Sequence, residues 1–324
     1  MKRQNHYFFL LLLCLAIGIG LVVWAIFDSG RKPEKYRISV VVDNSESNRW
    51  VPFLEGLKRA SKDNDVALNY VSTGKMTGLE QEKGIIDQEI ENGTDALIVQ
   101  FCQSSQTKEL VTDISGQTIL ELVGTDVDRD TISTENCACV STDDVAIGKA
   151  LAAQIVSDQG SLANEKIGIF MTGSAMKAVR DRRDGFEEDV RKAGATILWE
   201  IKDDRLTEQQ IEEKQREEAV DILVAMDDES LQVLNDYLTA TGASYPLYGV
   251  GCSDRNVYCL DNGQISAMAV PYEFNMGYQA VTRAVGKLKN PMSGMQNDTV
   301  DFAMITKENM TDEKNQRLLY PIVQ

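Results

Sequence analysis

Histidine is almost missing from this chain of 324 residues; the only one is His6, near the N-terminus. Beyond that point there is no imidazole to serve as a general base, a member of a Ser-His-Asp or Cys-His set, or a metal ligand. Positive charge is scarce as well. The formal net charge is −17, and an acidic surface of that size repels phosphate backbones, so nucleic acid is excluded as a partner. Asp126, Asp128 and Asp130 have the alternating spacing of a calcium loop, but the glycine and closing glutamate of an EF-hand do not follow, so no metal site is expected. Catalysis by carboxylates or lysine alone stays open, yet the balance is against an enzyme, and nothing in the sequence implies a cofactor.

The apolar share, 43%, is that of an ordinary globular protein, and the length suits two domains. Tyr7 to Phe27 carries no charge. At 1.5 Å per residue this run makes roughly 31 Å of helix, one hydrocarbon core. Lys2 and Arg3 precede it, which predicts a short cytoplasmic tail over residues 1–6, a transmembrane signal anchor over 7–27 and a linker over 28–36, with the rest outside the cell membrane. Cys14 raises the alternative of a lipidated or cleaved signal, but Leu13 before it is bulky, and no small-x-small pattern marks a cleavage site.

From Arg37 onward, short β-branched runs alternate with amphipathic stretches. RISVVVD (37–43), ALNYV (67–71), ALIVQ (96–100), TILELV (118–123) and a short strand at Cys139–Val140 form a first series. KIGIFM (166–171), TILWEI (196–201), DILVA (221–225), PLYGV (246–250) and ISAMA (265–269) form a second, followed by a helix over 272–288 and a strand near 300–305. Continuous apolar strands between helices predict parallel sheets covered on both faces. The expected fold is therefore α/β, with two doubly wound, Rossmann-like parallel-sheet lobes. In that architecture ligands bind beyond the carboxyl ends of the strands.

The residues at those ends are polar. Asn44 to Trp50 follow the first strand, Gln100 to Gln103 the third, Thr125 and Asp126 the fourth; Arg180 stands in VRDRRDGF, and Asp227-Asp228 and Ser253-Asp254 follow strands of the second series. Trp50 offers a flat apolar face, Arg180 a fork of donors, Asp126 and Asp227 acceptors. This is the mixture that sugar hydroxyls and C–H faces require. Plainer readings exist: Trp50 as core packing, Arg180 as a surface charge like Arg182 and Arg183, and one aspartate of the 227–228 pair as the cap of the next helix, with Asp227 the one expected to face ligand. Five cysteines follow the anchor run, Cys102, Cys137, Cys139, Cys252 and Cys259. Their pairing is open; Cys252 with Cys259 is the pair expected to close a small loop.

The order and spacing of several segments resemble the type I periplasmic binding proteins of the ribose- and galactose-binding group: WVPFLEG (50–56), TDD with IGK (142–149), GS through RDRRDGF (173–186), Asp227-Asp228, and PYE with GY (271–278). The resemblance runs from about Tyr36 to about Ile305. It implies an N-terminal lobe of residues 37–142 and 270–298 and a C-terminal lobe of 143–269 and 299–324, joined by a three-strand hinge near Asp143, Ala269 and Thr299. It also implies ligand contacts at Ser47, Arg49, Trp50, Asp126, Arg180 and Asp227. Three usual polar anchors are replaced, by Val127, Gly251 and Ala269, which leaves three alternatives: a different sugar, a less hydroxylated molecule, or a ligand read by Cys252, Ser253 or Asp254 instead. The expected function is a monomeric solute-binding protein that closes on a small polar ligand such as a sugar, delivering it to the permease of an ABC importer or reporting it to a sensor histidine kinase. A transcription repressor shares such lobes, but this chain begins with an apolar span and has no helix-turn-helix.

Overall fold

The computed structural model describes residues 35–124, 127, 135–203, 205 and 207–320, with Ile17 and Ile19 of the N-terminal segment. The rest of the 7–27 run lies outside the described residues, and among those described no helix is long and apolar enough to cross a membrane.

Two six-stranded sheets carry the chain from Arg37. The first contains β1 (Arg37–Val42), β2 (Ala67–Tyr70), β3 (Ala96–Gln100), β4 (Ile119–Val123), β5 (Cys137–Thr142) and β11 (Asp298–Val300). Their order is β11-β5-β4-β3-β1-β2, all parallel. The second contains β6 (Lys166–Met171), β7 (Thr196–Lys202), β8 (Ile222–Ala225), β9 (Leu247–Val250), β10 (Ala267–Pro271) and β12 (Phe302–Thr306), in the order β12-β10-β9-β8-β6-β7. Here only β12 runs antiparallel, beside β10. Strands β3, β5, β8, β9 and β10 are buried at every position. Such two-faced burial explains their unbroken apolar runs, because helices cover both sides. In the second lobe one core layer includes Phe170, Leu223, Leu231 and Leu260. The layer on the opposite face includes Ile147, Leu151, Ile169 and Phe186.

The helices are α1 (Val51–Asn64), α2 (Leu79–Glu91), α3 (Lys108–Gln117), α4 (Asp144–Gln159), α5 (Lys177–Lys192), α6 (Glu208–Glu217), α7 (Asp228–Thr241), α8 (Asp254–Asp261), α9 (Glu273–Lys289) and α10 (Glu313–Leu319). The chain passes between lobes at three places: between β5 and α4 at Asp143, between β10 and α9 at Tyr272, and between β11 and β12 at Asp301. The apolar stretch near 300–305 is thus two strands, one in each sheet, broken by Asp301. The α8 and α10 helices were invisible to periodicity because both are short, eight and seven residues.

Each lobe holds one unusually close helix pair, and glycine makes both possible. A Cβ on Gly56 of α1 would lie 2.0 Å from the carbonyl oxygen of Phe274 on α9, and one on Gly277 would lie 2.2 Å from that of Phe53. In the second lobe a Cβ on Gly148 of α4 would sit 1.9 Å from the Arg182 carbonyl of α5, and one on Gly185 2.3 Å from that of Val145. Backbone cannot yield as a side chain does, so any added carbon forces the helices apart. Gly148→Ala is expected to cost about 1–3 kcal/mol in urea unfolding. Gly84→Ala, on a helix where nothing lies within 4 Å, should be neutral or stabilising by about 0.5–1 kcal/mol. Equal midpoints for the two variants would refute this packing account.

Candidate functional site

The carboxyl ends of both sheets face one cleft of about 390 Å³, within the size range of small-molecule sites. From the first lobe its wall takes Asp43, Ser47, Arg49, Trp50, Gln100 and Cys102. From the second it takes Thr172, Arg182, Asp227, Asp228 and Cys252, with Glu273 contributed from the hinge.

Ser47, Arg49 and Trp50 sit at the start of a 3-10 turn that runs into α1. Trp50 is both wall and core: it lines the cleft, yet only 3% of it is exposed, and its indole N–H donates to the Asp43 carbonyl at 3.0 Å. The Arg49 guanidinium lies over the indole, 4.0 Å from the ring centre, a cation–π contact. Its Nη2 donates to Gln100 Oε1 at 2.5 Å. This fixes the arginine, and among the described residues Nε and Nη1 have no hydrogen-bond acceptor.

Arg180 is not in the cleft. Its side chain is exposed, and Nη1 folds back onto the Ser174 and Ala175 carbonyls at 3.1 and 2.8 Å. The cleft arginine of this helix is Arg182. Its Nε donates to Asp144 Oδ1 at 2.6 Å and its Nη1 to the Met226 carbonyl at 3.2 Å. Asp144 also accepts from Thr142 Oγ1 at 3.0 Å. Burial pushes the Asp144 carboxyl up despite the opposing pull of Arg182.

The paired aspartates depart from the division of labour expected of them. Asp227 is the cap: it accepts from Ser230 N (2.9 Å), Thr172 N (2.8 Å), Thr172 Oγ1 (2.6 Å) and Gly173 N (3.3 Å). Asp228 Oδ1 accepts from the backbone N–H groups of Cys252 and Ser253 at 2.8 and 2.9 Å, and Oδ2 from Gln232 at 2.8 Å. Both line the cleft, but their lone pairs tie together the ends of β6, β8 and β9.

The replaced anchors have physical explanations. At Gly251 a Cβ would lie 2.8 Å from Asp228 Oδ1, so the Asp228 carboxyl occupies the space a side chain at 251 would need. Val127 and Ala269 are buried in the cores of their lobes. Of the three substitute readers only Cys252 reaches the cleft wall; Ser253 is buried against Gln232, and Asp254 is exposed. Cys252 and Cys259 carry free thiols rather than a bridge. Cys252 faces the cleft, while the Cys259 sulfur accepts from Asn235 across α7 and α8 at 3.0 Å. Burial holds the Cys252 thiol well above its ordinary range, which favours the neutral form. Asp126 lies outside the described residues, and among those described no group of acidic, cysteine or histidine side chains could hold a metal ion.

The lobes touch across the cleft mouth. Ser104 N donates to the Ala175 carbonyl at 3.1 Å, and Lys177 N donates to Ser104 Oγ at 2.7 Å, so a first-lobe serine satisfies the first N–H of α5. Lys75 pairs with Glu229 at 3.6 Å, and the Cys252 thiol meets the Arg49 carbonyl at 3.4 Å.

Two doubly wound lobes, three crossings and a polar cleft at the strand ends define a two-lobed binding protein. The sequence bears this out: residues 38–291 match the family model described as periplasmic binding protein domain, and the chain belongs to that family, whose members bind solutes and are not enzymes. Solved structures share the fold at low identity. A carbohydrate transporter solute-binding protein from Agrobacterium radiobacter, in complex with D-arabinose, has a TM-score of 0.80 at 16% identity, covering 89% of this chain and 100% of its own. GanP, a glucose-galactose binding protein from Geobacillus stearothermophilus, gives 0.74 at 17%, covering 86% and 99%. A XylFII-LytSN complex gives 0.72 at 18%, covering 85% and 99%. No curated protein gives a significant match.

Proposed function

We propose that the protein captures a small sugar on the extracytoplasmic side of the membrane, tethered by its 7–27 segment, and passes it to an ABC importer. The carrying observation is that two arginines with open donors, Arg49 and Arg182, line one cleft from opposite lobes, with Trp50 beside them. A ligand held by both binds the closed form better than the open one, and only that difference can drive closure. The relatives solved with D-arabinose and described as glucose-galactose binding support a sugar as ligand. Asp126 and Ser47 complete the proposed first-lobe contacts. Thermal-shift screening against neutral pentoses and hexoses, followed by small-angle scattering of the best ligand, tests the reading. The expected result is stabilisation and a smaller radius of gyration; a saturating ligand that leaves the radius unchanged refutes the clamp.

One observation favours a second reading, a sensor subunit reporting to a membrane histidine kinase: the likeness to XylFII-LytSN, a relative solved together with another protein. Affinity purification from membranes separates the two. A co-purifying permease supports import, and a co-purifying kinase supports sensing.

A further inference from the structure

Glu273 is the odd group of the cleft. It lies two residues past the end of β10, at the first turn of α9, and lines the cleft from the hinge. Its Oε2 is out of solvent and has no hydrogen-bond partner among the described residues. The other cleft carboxylates are engaged: Asp43 with Met76 N, Asp227 and Asp228 with the strand ends, Glu229 with Lys75. Leaving a buried polar group unmade is costly, so an orphan in an otherwise satisfied wall points to a partner that arrives from outside.

The surroundings say what that partner is. Arg49 and Arg182 both act on Glu273 as cations, and Asp144 and Asp228 as anions, while the Cys252 thiol beside it stays neutral. A ligand carboxylate or phosphate at this place would meet the Glu273 carboxylate. A ligand ammonium would meet two guanidiniums. A pair of neighbouring hydroxyls meets both needs at once, its oxygens accepting from guanidinium N–H and its hydrogens donating to the carboxylate. The usual side-chain anchors are absent at Gly251 and Ala269, and Asp228 is spent on two backbone N–H groups and the Gln232 amide, so the second lobe and hinge offer no other open acceptor among these carboxylates of the described residues.

Resting on the sugar-binding reading, we propose that Glu273 is a specificity-determining ligand contact, which receives a vicinal diol of a neutral sugar and discriminates against acidic and amino sugars. The carboxylate form is the one that accepts, and burial has raised its pKa to about 7. Affinity therefore strengthens as the pH climbs from 6 to 8.

The test uses the full-length protein and three ligand sets: neutral sugars (D-arabinose, D-tagatose, D-glucose and D-galactose), D-gluconate and D-glucosamine. Calorimetry of wild type and Glu273→Gln follows at pH 6, 7 and 8. The expected result is binding of a neutral sugar, with affinity rising severalfold between pH 6 and 8. Glu273→Gln is expected to lose about ten- to a hundredfold at pH 8 and to show a flat profile, while its ligand-free melting temperature stays level or rises. The unchanged or higher melting point separates lost recognition from misfolding. A neutral sugar bound within twofold by both proteins overturns the assignment of Glu273 and leaves the sugar reading standing. Binding of gluconate or glucosamine in preference to every neutral sugar overturns the diol assignment. No binding in any set overturns the sugar reading, and the role of Glu273 with it.

Discussion

Replacing Arg182 by alanine is expected to remove ligand capture and to cost about 3–5 kcal/mol of folding stability, the penalty for stranding one partner of a buried ion pair. Arg182 and Asp144 are 12% and 7% exposed in their side chains and meet at 2.6 Å. Without the guanidinium, Asp144 keeps, among the described residues, only Thr142 Oγ1 as a side-chain hydrogen-bond donor, and the Met226 carbonyl loses a donor as well. Two controls isolate the cause. Arg180→Ala, which removes an exposed side chain, should shift stability by no more than about 0.5 kcal/mol and leave affinity intact. Asp144→Asn combined with Arg182→Ala should recover part of the stability and none of the binding, because the stranded charge is gone but the cleft donor is not restored. Urea unfolding and calorimetry on the three variants provide the check. Arg182→Ala matching Arg180→Ala in both measurements would sink the assignment.

The ligand-free protein should melt higher at pH 5.5 than at pH 8. Burial pushes Glu82, Glu121 and Glu273 up to about 7, against an ordinary glutamate near 4.5. Between those two values the folded chain binds protons that the unfolded chain has released, so stability is gained as pH falls through 7 and lost as it rises. The gain is about 2 kcal/mol for each group; together they should raise the melting temperature by roughly 5 °C or more. The carboxylates held low by partners, Glu188, Glu200, Asp203 and Glu308, act in the opposite direction, but below the ordinary carboxylate range and thus outside this window. Calorimetric melting across pH 5.5–8 reads the slope, and Glu82→Gln with Glu121→Gln should flatten most of it. A melting temperature that falls on acidification would contradict the burial of these groups.

The strands and long helices were legible because each is long enough to show a period, and because strands covered on both faces announce themselves as unbroken apolar runs. The choice among Arg180, Arg182 and Arg183 was also legible, though it was missed. Gly185 and Phe186 mark the buried face of α5, and Arg182 stands three and four residues before them, on that face; Arg180 lies across the helix. The partition of Asp227 and Asp228 was only partly legible: the Ser230 N–H that Asp227 caps is local, but the Thr172 and Gly173 donors to Asp227 and the Cys252 and Ser253 donors to Asp228 come from loops 24 to 55 residues away in sequence. Glu273 stands in the PYE segment that carries the resemblance, but nothing local marks it as a ligand contact. Its significance is the lack of a partner, which exists only once every neighbour has been placed.

The two glycine clasps link each cleft arginine to a crossing between the lobes. In the first lobe Arg49 sits in the 3-10 turn that leads through Trp50 into α1, and α1 is bolted through Gly56 and Gly277 to α9, the helix that issues from the crossing at Tyr272. In the second, Arg182 rides on α5, bolted through Gly148 and Gly185 to α4, which issues from the crossing at Asp143. Each cleft arginine is thus one rigid arm away from a pivot, with no compressible side chain in between to absorb the pull. If a ligand closes the lobes as proposed, its pull on the two guanidiniums would reach the pivots through backbone-to-backbone contacts that have little room to repack.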